Sequence, residues 1–484
     1  MRSCRIIVLT SFAAISFSSP TGAAEPTLRE QASTSLRKAV EHFRKNVASQ
    51  GGYLWRYSDD LTKREGEGKA TTTQAWVQPP GTPAVGLAYL AAFDATSDTY
   101  YLEAAREAAG VLIKGQLRSG GWTYQVEFDP ALRKKFAFRV DPPNKGRNYT
   151  TFDDNTTQSA VRLLTRLDIA LKQKDAKVHE AATFALDAIL KAQYPNGAWP
   201  QGYAEFPDPA KHPVKKPSYY TGDYPRAMVK KEYWDYYTLN DNLHADLIDV
   251  LLEAGKLYGE PKYRKAAEKA GDFLILAQMP DPQAGWAQQY DEEMRPSWAR
   301  KFEPPSITGS ESQGVMLTLL RMYRETGDKK YLEPLPKALA YYKKLLLPDG
   351  QLARFYELKT DKPLYFTKTY QLTYKDDDVP THYGFKVGSK LDAIEREYER
   401  VKKLSPDDLK KEAQPKAVAG KPGDGLTAQV KSVLAALDKD GRWIEEGKLR
   451  FHGANDPTTR IISCETFNKN VAILSSYLAA TREQ

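Results

Sequence analysis

Amphipathic stretches with a 3.6-residue apolar period run along most of the chain, and the same kind of loop closes one stretch after another. The loop reads Gly51-Gly52-Tyr53-Leu54-Trp55, Gly120-Gly121-Trp122, Asn196-Gly197-Ala198-Trp199, Ala284-Gly285-Trp286, Asp349-Gly350-Gln351-Leu352 and Asp440-Gly441-Arg442-Trp443, at intervals of 65 to 91 residues. Loops follow Ala-rich runs such as Tyr101–Leu117, Val178–Gln193, Tyr263–Gln278 and Tyr331–Leu347. Ala, Leu, Glu and Lys favour helix there, and the Gly and Pro beyond them stop it. A second set of helices is predicted at Thr82–Phe93, Asn155–Lys172, Asn240–Tyr258, Ser310–Thr326, Leu391–Lys403 and Phe467–Thr481. The first helix, around Leu28–Val47, lacks a preceding partner and the last lacks a following one, so pairing these two closes a ring. The pattern predicts an all-α fold, an α/α toroid (barrel) of about six helical hairpins with a few short strands in the loops; an open helical solenoid is the alternative. A β-rich hairpin is expected at Leu364–Tyr374. The charged stretch Leu391–Lys403 is expected to lie exposed on the outer ring, and the Lys/Pro/Gly-rich Ser405–Gly425 to be a mobile surface loop.

Composition narrows the class. The chain has 484 residues, 41% of them hydrophobic and 27% charged, which fits a folded protein. That length exceeds the roughly 250–300 residues at which a single core usually splits, so several domains or one repeating body must account for it. The repeat favours one body, a single α/α-toroid catalytic domain over residues 25–484. Residues 1–24 read as a secretory signal peptide: Arg2 and Arg5, an apolar run from Ile6 to Phe17, then Thr21-Gly22-Ala23-Ala24. A secreted or periplasmic protein, with no membrane contact after cleavage, is expected. Cleavage removes Cys4 and two arginines, leaving Cys464 without a partner and lowering the net charge from +8 to +6. The surplus is spread along the chain and points only weakly to an acidic partner; no nucleic-acid site is read, and a monomer is expected. Six scattered histidines form no Cys/His cluster of the kind zinc requires.

Four segments place polar residues where a helix start or plain loop would not need them. Thr150-Thr151-Phe152-Asp153-Asp154-Asn155-Thr156-Thr157 and Tyr237-Thr238-Leu239-Asn240-Asp241-Asn242 put carboxylates and amides at helix starts. Ordinary capping explains either one alone. Together they could share a hard cation such as Ca2+, which takes oxygen ligands. Arg300 precedes Ser310-Glu311 in a proline-fixed loop, and Arg354-Phe355-Tyr356-Glu357 is followed by Lys368. Arg300, Arg354 and Lys368 could hold ligand carboxylates, a combination that suits an acidic sugar polymer. The loop tryptophans, Trp199 among them, either stack on sugar faces in one cleft or plug their own hairpin ends.

The segments Tyr194-Pro-Asn-Gly-Ala-Trp-Pro-Gln201, Thr151-Phe-Asp-Asp-Asn-Thr-Thr157, Leu239-Asn-Asp-Asn242, Trp298-Ala-Arg-Lys-Phe-Glu-Pro304 and Ser306-Ile-Thr-Gly-Ser-Glu-Ser312 resemble, in order, the pectic acid lyases of polysaccharide lyase family 10. The resemblance runs from about Thr150 to Lys375. It implies an α/α-toroid pectate lyase that degrades polygalacturonate by β-elimination with calcium. By the same resemblance Asp154 is an active-site carboxylate that also faces the metal, and Asp241 helps bind calcium and the substrate carboxylate. Arg300 is taken as the catalytic base, and Arg354 binds substrate, with Asn155 and Trp199 beside it. Lys368 stands near the family's next substrate-binding arginine and lacks the bidentate fork of that side chain. An arginine base faces the difficulty of a pKa above about 12, which leaves open a role in charge neutralisation with another group as base. A hydrolytic α/α-barrel, a non-catalytic protein that binds acidic polysaccharide and a terpene-cyclase-like toroid are the competing readings.

Overall fold

The computed structural model describes residues 26–228, 232–413 and 422–482. The signal-peptide stretch therefore lies outside the described residues. Helices follow at α1 Leu28–His42, α2 Thr82–Thr96, α3 Thr99–Gly115, the single turn α4 Pro130–Arg133, α5 Thr156–Ala170, α6 Ala176–Lys191, α7 Leu243–Tyr258, α8 Pro261–Leu276, α9 Gly309–Thr326, α10 Leu335–Lys344, α11 Leu391–Val401, α12 Pro406–Ala413, α13 Asp424–Ala436 and α14 Cys464–Ala480. Helices α2, α5, α7 and α9 pack in series, α14 packs on α2, and α11 packs on α9, which makes the inner ring. The remaining long helices lie outside their inner partners: α3 on α2, α6 on α5, α8 on α7, α10 on α11, and α13 and α1 on α14. The chain is an α/α toroid, as its repeat predicts.

Ring closure uses the two ends of the described chain. Helix α1 packs on α14, and Arg29 Nη1 donates to the carbonyl of Leu478 at 2.7 Å. The strand Arg56–Ser58, just beyond the first Gly-Trp loop, pairs antiparallel with Arg460–Ser463, just before α14. The same bracket recurs in the other hairpins. Gln74–Trp76 before α2 pairs with Gln125–Glu127, Thr150–Thr151 before α5 with Gly202–Tyr203, Tyr237–Thr238 before α7 with Gln289–Tyr290, and Ser306–Thr308 before α9 with Phe355–Glu357. Every bracket thus sits at the N-terminal end of an inner helix, and this collects the loops on one face. The expected β-hairpin also forms, with Tyr365 opposite Thr373 and Phe366 opposite Leu372.

Four of the five tryptophans of the repeat are plugs; the fifth, Trp55, is only partly buried and donates to the Gln78 carbonyl at 3.0 Å. Trp122, Trp199 and Trp286 are fully buried, and each indole N–H donates into its own outer helix, to Leu112, Ile189 and Leu274 at 2.8, 2.9 and 2.7 Å. Trp443 does the same to Val433 at 3.0 Å. An indole buried with its one donor satisfied closes a helix end against water. Trp199, expected to touch substrate, is therefore corrected to a core residue.

A glutamine at the end of three outer helices adds a cross-link that the patterning does not reveal. Gln116, Gln193 and Gln278 donate from Nε2 both to their own loop and to the next outer helix segment, at Ala181, Ala266 and Pro334. The ring departs from this regularity after α10. Ser405–Gly425, read as a loop, contains α12 with Leu409 buried. Leu409 is its single apolar anchor, so no periodicity marked it. Helix α11 is not simply exposed either: Leu391, Ile394 and Val401 are buried against the ring.

Glycine in these loops has two different reasons. Gly197 (φ +98°) lies so close to α8 that a Cβ would stand 2.2 Å from the carbonyl oxygen of Lys269. Gly350 (φ +76°) has open space around it. Thermal unfolding should separate them: Gly350→Ala costs about 1 kcal/mol for its left-handed backbone, and Gly197→Ala costs at least twice that. Equal losses would mean that the loop does not seat on α8.

Candidate functional site

The acidic segments at the starts of α5 and α7 fold into the same unusual turn. Thr151 Oγ1 accepts from the Asp153 N–H at 3.1 Å, and Thr238 Oγ1 accepts from the Asn240 N–H at 3.3 Å. The chain then enters the left-handed region for two residues. Asp154 has φ/ψ of 48°/36° and Asn155 57°/25°. Asp241 has 48°/38° and Asn242 58°/17°. Asp and Asn visit this region more readily than other non-glycine residues, but each such residue still costs on the order of 1 kcal/mol. The two turns touch each other because α5 and α7 are neighbours in the inner ring.

Their contact brings carboxylates together. One oxygen each of Asp153, Asp154 and Asp241 lie within 4.8 Å of one another. Gln78 Nε2 donates to Asp154 at 2.8 Å, the Tyr124 hydroxyl to Asp153 at 2.8 Å, and Asn240 Nδ2 to Asp241 at 2.6 Å. Lost hydration and the neighbouring Asp153 and Asp241 push the Asp154 carboxyl up to about 7, against a smaller opposing pull from Arg300. Lost hydration and Asp153 push Asp241 up to about 6, again opposed by Arg300. Glu67 is also raised, by burial and then by Asp153.

Across from the carboxylates stand two guanidiniums. Arg300 is forked by Glu303, with Nε to Oε2 at 2.9 Å and Nη2 to Oε1 at 2.6 Å. Glu303 is buried. Burial alone would lower the Arg300 pKa, but Glu303 more than offsets it, so the guanidinium is held charged more firmly than usual. That environment runs against the base role implied for it. Arg354 donates from Nε to the Gly384 carbonyl at 2.8 Å and from Nη1 to the Tyr383 hydroxyl at 3.1 Å, with buried Glu311 at 3.8 Å. Tyr383 in turn donates to Glu303 Oε1 at 2.9 Å, which ties both arginines into one frame. Lys368 stands apart: mostly exposed, it pairs with Asp378 at 3.2 Å.

The structure thus gathers Asp154, Asn155, Asp241, Arg300 and Arg354, and excludes Trp199 and Lys368 from the group. It adds Asp153, Gln78, Tyr124, Glu303 and Tyr383. The parallel between Thr151-Phe152-Asp153-Asp154-Asn155 and Thr238-Leu239-Asn240-Asp241-Asn242 was the available signal for Asp153. Nothing local marks Gln78 or Tyr383, which reach the site through the ring's closure.

The donor set fits a calcium ion. It offers carboxylate oxygens only, and the amide oxygens of Asn155 and Asn240 are buried nearby without a hydrogen-bond partner. Hard oxygen donors of mixed charge are what Ca2+ takes.

Toroid and site together set a carboxylate cluster close to two arginines that one frame of hydrogen bonds holds in place. Residues 132–326, less than half of the chain, match the family model described as pectic acid lyase. The resemblance read from the sequence holds over that stretch, which includes Asp154, Asp241 and Arg300 and stops short of Arg354; the protein is an enzyme of the pectate lyase type, a polysaccharide lyase. No match to a curated protein is found. Among solved structures, the family 10 polysaccharide lyase from Cellvibrio cellulosa is 20% identical, with 67% of this chain and 97% of that one covered and a TM-score of 0.44. An aspartate-to-alanine mutant of that lyase in complex with trigalacturonic acid gives 19%, 66%, 97% and 0.45. A glycoside hydrolase family 76 mannosidase from Bacteroides thetaiotaomicron is 11% identical, with 93% and 98% covered and a TM-score of 0.43.

The carboxylate cluster has a cost that can be measured without metal. A raised carboxyl pKa means that the folded state binds its proton more tightly than the unfolded chain. The penalty is therefore absent below the unfolded value near 4 and complete above the folded value near 7. In chelator, Asp154→Asn should raise the melting temperature at pH 8, on the order of 1–2 °C after solvent screening, and the gain should vanish by pH 4. A gain that persists at pH 4 would trace to packing and not to charge.

Proposed function

We propose that the protein is a secreted lyase that cleaves polygalacturonate, or a related uronic-acid polymer, by calcium-assisted β-elimination. The observation that carries the reading is the pairing of two identical left-handed acidic turns, facing the Arg300–Glu303–Tyr383–Arg354 frame across one cleft. In β-elimination a base takes the proton on C5, next to the uronate carboxylate, the electron pair left behind forms the C4–C5 double bond, and the C4–O bond breaks to expel the 4-linked sugar; with Arg300 held charged, a water or another side chain is that base.

Asp153, Asp154 and Asp241 would hold the calcium ion, with the Asn155 and Asn240 amide oxygens as further donors. A bound calcium supplies Lewis acidity that lowers the pKa of the C5 proton. Arg354 takes the uronate carboxylate: Tyr383 and Gly384 hold its guanidinium in place, so little freedom is lost on binding. Arg300 lies beside the acidic turns and acts on the charge that develops at C5. The Glu303 fork keeps Arg300 positive, which favours stabilisation of the enolate-like intermediate over uptake of the proton.

The assay is the ultraviolet absorbance of the unsaturated uronate formed from polygalacturonate. Wild-type enzyme should form it with calcium and stop with chelator, and Asp241→Ala should lose on the order of 100-fold in kcat/KM. Reducing sugar released without unsaturated product would instead indicate a hydrolase, for which Asp154, half-protonated near neutrality, is the available acid.

Arg300→Lys separates the two roles of that residue. If charge alone is used, kcat at neutral pH should stay within about tenfold of wild type. A loss of about a thousandfold, recovered as the pH rises, would assign the proton transfer to Arg300.

A further inference from the structure

One cavity of about 540 Å³ opens beside the acidic turns and shares Asp153 with them. Its volume is that of a ligand site. Tyr124, Tyr149, Tyr233 and Trp234 stand on its walls, and Trp234 is among the exposed large apolar side chains of the molecule. Arg147 also lines it. Its backbone N–H donates to the Lys135 carbonyl at 2.8 Å, and its guanidinium lies 5.1 Å above the Tyr149 ring. Most of the described arginines are paired with a carboxylate, and Arg147 makes no such ion pair among the described residues. Of the acids on the same walls, Asp153 accepts from Tyr124 and belongs to the carboxylate cluster, Asp235 has a partner of its own, and Glu205 is exposed, as Arg147 itself is.

An unpaired guanidinium braced on an aromatic ring, on the wall of a tyrosine-lined cavity that shares Asp153 with the carboxylate cluster, suits a planar anion attached to a sugar. We propose that this cavity is a second uronate subsite, in which Arg147 takes the carboxylate of a sugar further along the polymer and Tyr149 and Trp234 contact its ring. Arg147 is then a specificity-determining residue remote from the bond that breaks. It would make the enzyme favour stretches with two free carboxylates over stretches in which one is esterified. The inference rests on the functional reading above for the direction of the polymer, and on the cavity alone for its chemistry.

The test is a calorimetric titration of trigalacturonate, with calcium present, into an Arg300→Ala background that suppresses turnover. Adding Arg147→Ala should weaken trigalacturonate binding about tenfold, the loss of one charge-assisted contact. The fully methyl-esterified trimer, which offers no carboxylate, should bind both proteins alike. A loss below threefold, an equal loss for the esterified trimer, or no binding of trigalacturonate to either protein overturns the subsite. The product assay on wild-type enzyme stands apart from this titration. Trigalacturonate binding that depends on Arg147 without any unsaturated product would leave the subsite in place and remove the lyase reading; product with an indifferent Arg147 would do the reverse.

Discussion

Three carboxylates held within 4.8 Å of one another are the constraint that organises this molecule. Asp153, Asp154 and Asp241 repel, lose hydration and sit on backbone that prefers to be elsewhere. Such a group persists only where the surroundings overdetermine it. Here they do so from below and from the sides. Helices α5 and α7 direct the positive ends of their dipoles at the carboxylates, Thr151 and Thr238 tie down the turns, and the paired strands before each inner helix set their spacing. The arginine frame opposite adds compensating charge without collapsing onto the acids, because Glu303 and Tyr383 claim the guanidinium donors first.

The architecture and the chemistry therefore share one cause. A toroid of hairpins gathers the N-terminal ends of its inner helices on one face, and every such end is a place where anions, turns and unsatisfied N–H groups are already at home. Two adjacent positions of six carry the carboxylates. The others are free to supply walls and cations, as the Ser306–Thr308 strand does by pairing with Phe355–Glu357 beside Arg354. Tryptophan has the opposite task. It fills the ends of the outer helices with its one polar group already paired.

Much of this was legible in the residues. The Gly-Trp repeat carried the hairpin count and the closure by the first and last helices, and the Asp-Asn turns pointed to the carboxylate cluster. What stayed hidden was information that no local pattern carries. Trp199 looks the same in sequence whether it faces a sugar or a core; only the indole N–H reaching Ile189 decides. Helix α12 has one apolar anchor and so no period. The Glu303 fork was written three residues from Arg300, yet its effect on that guanidinium depends on Glu303 being buried, which is a property of the ring. Gln78 and Tyr383 come to the cleft from distant parts of the chain, so spacing could not nominate them.

The closure between α1 and α14 has a kinetic consequence. Contacts such as that between Arg29 and Leu478 join residues separated by nearly the whole described chain. Long-range contacts of this kind reward folding only after their loop entropy has been met. Helix α1 must wait, with its apolar face uncovered, until α14 exists. Intermediate hairpins can form in order from α2 onward, but the band is locked last.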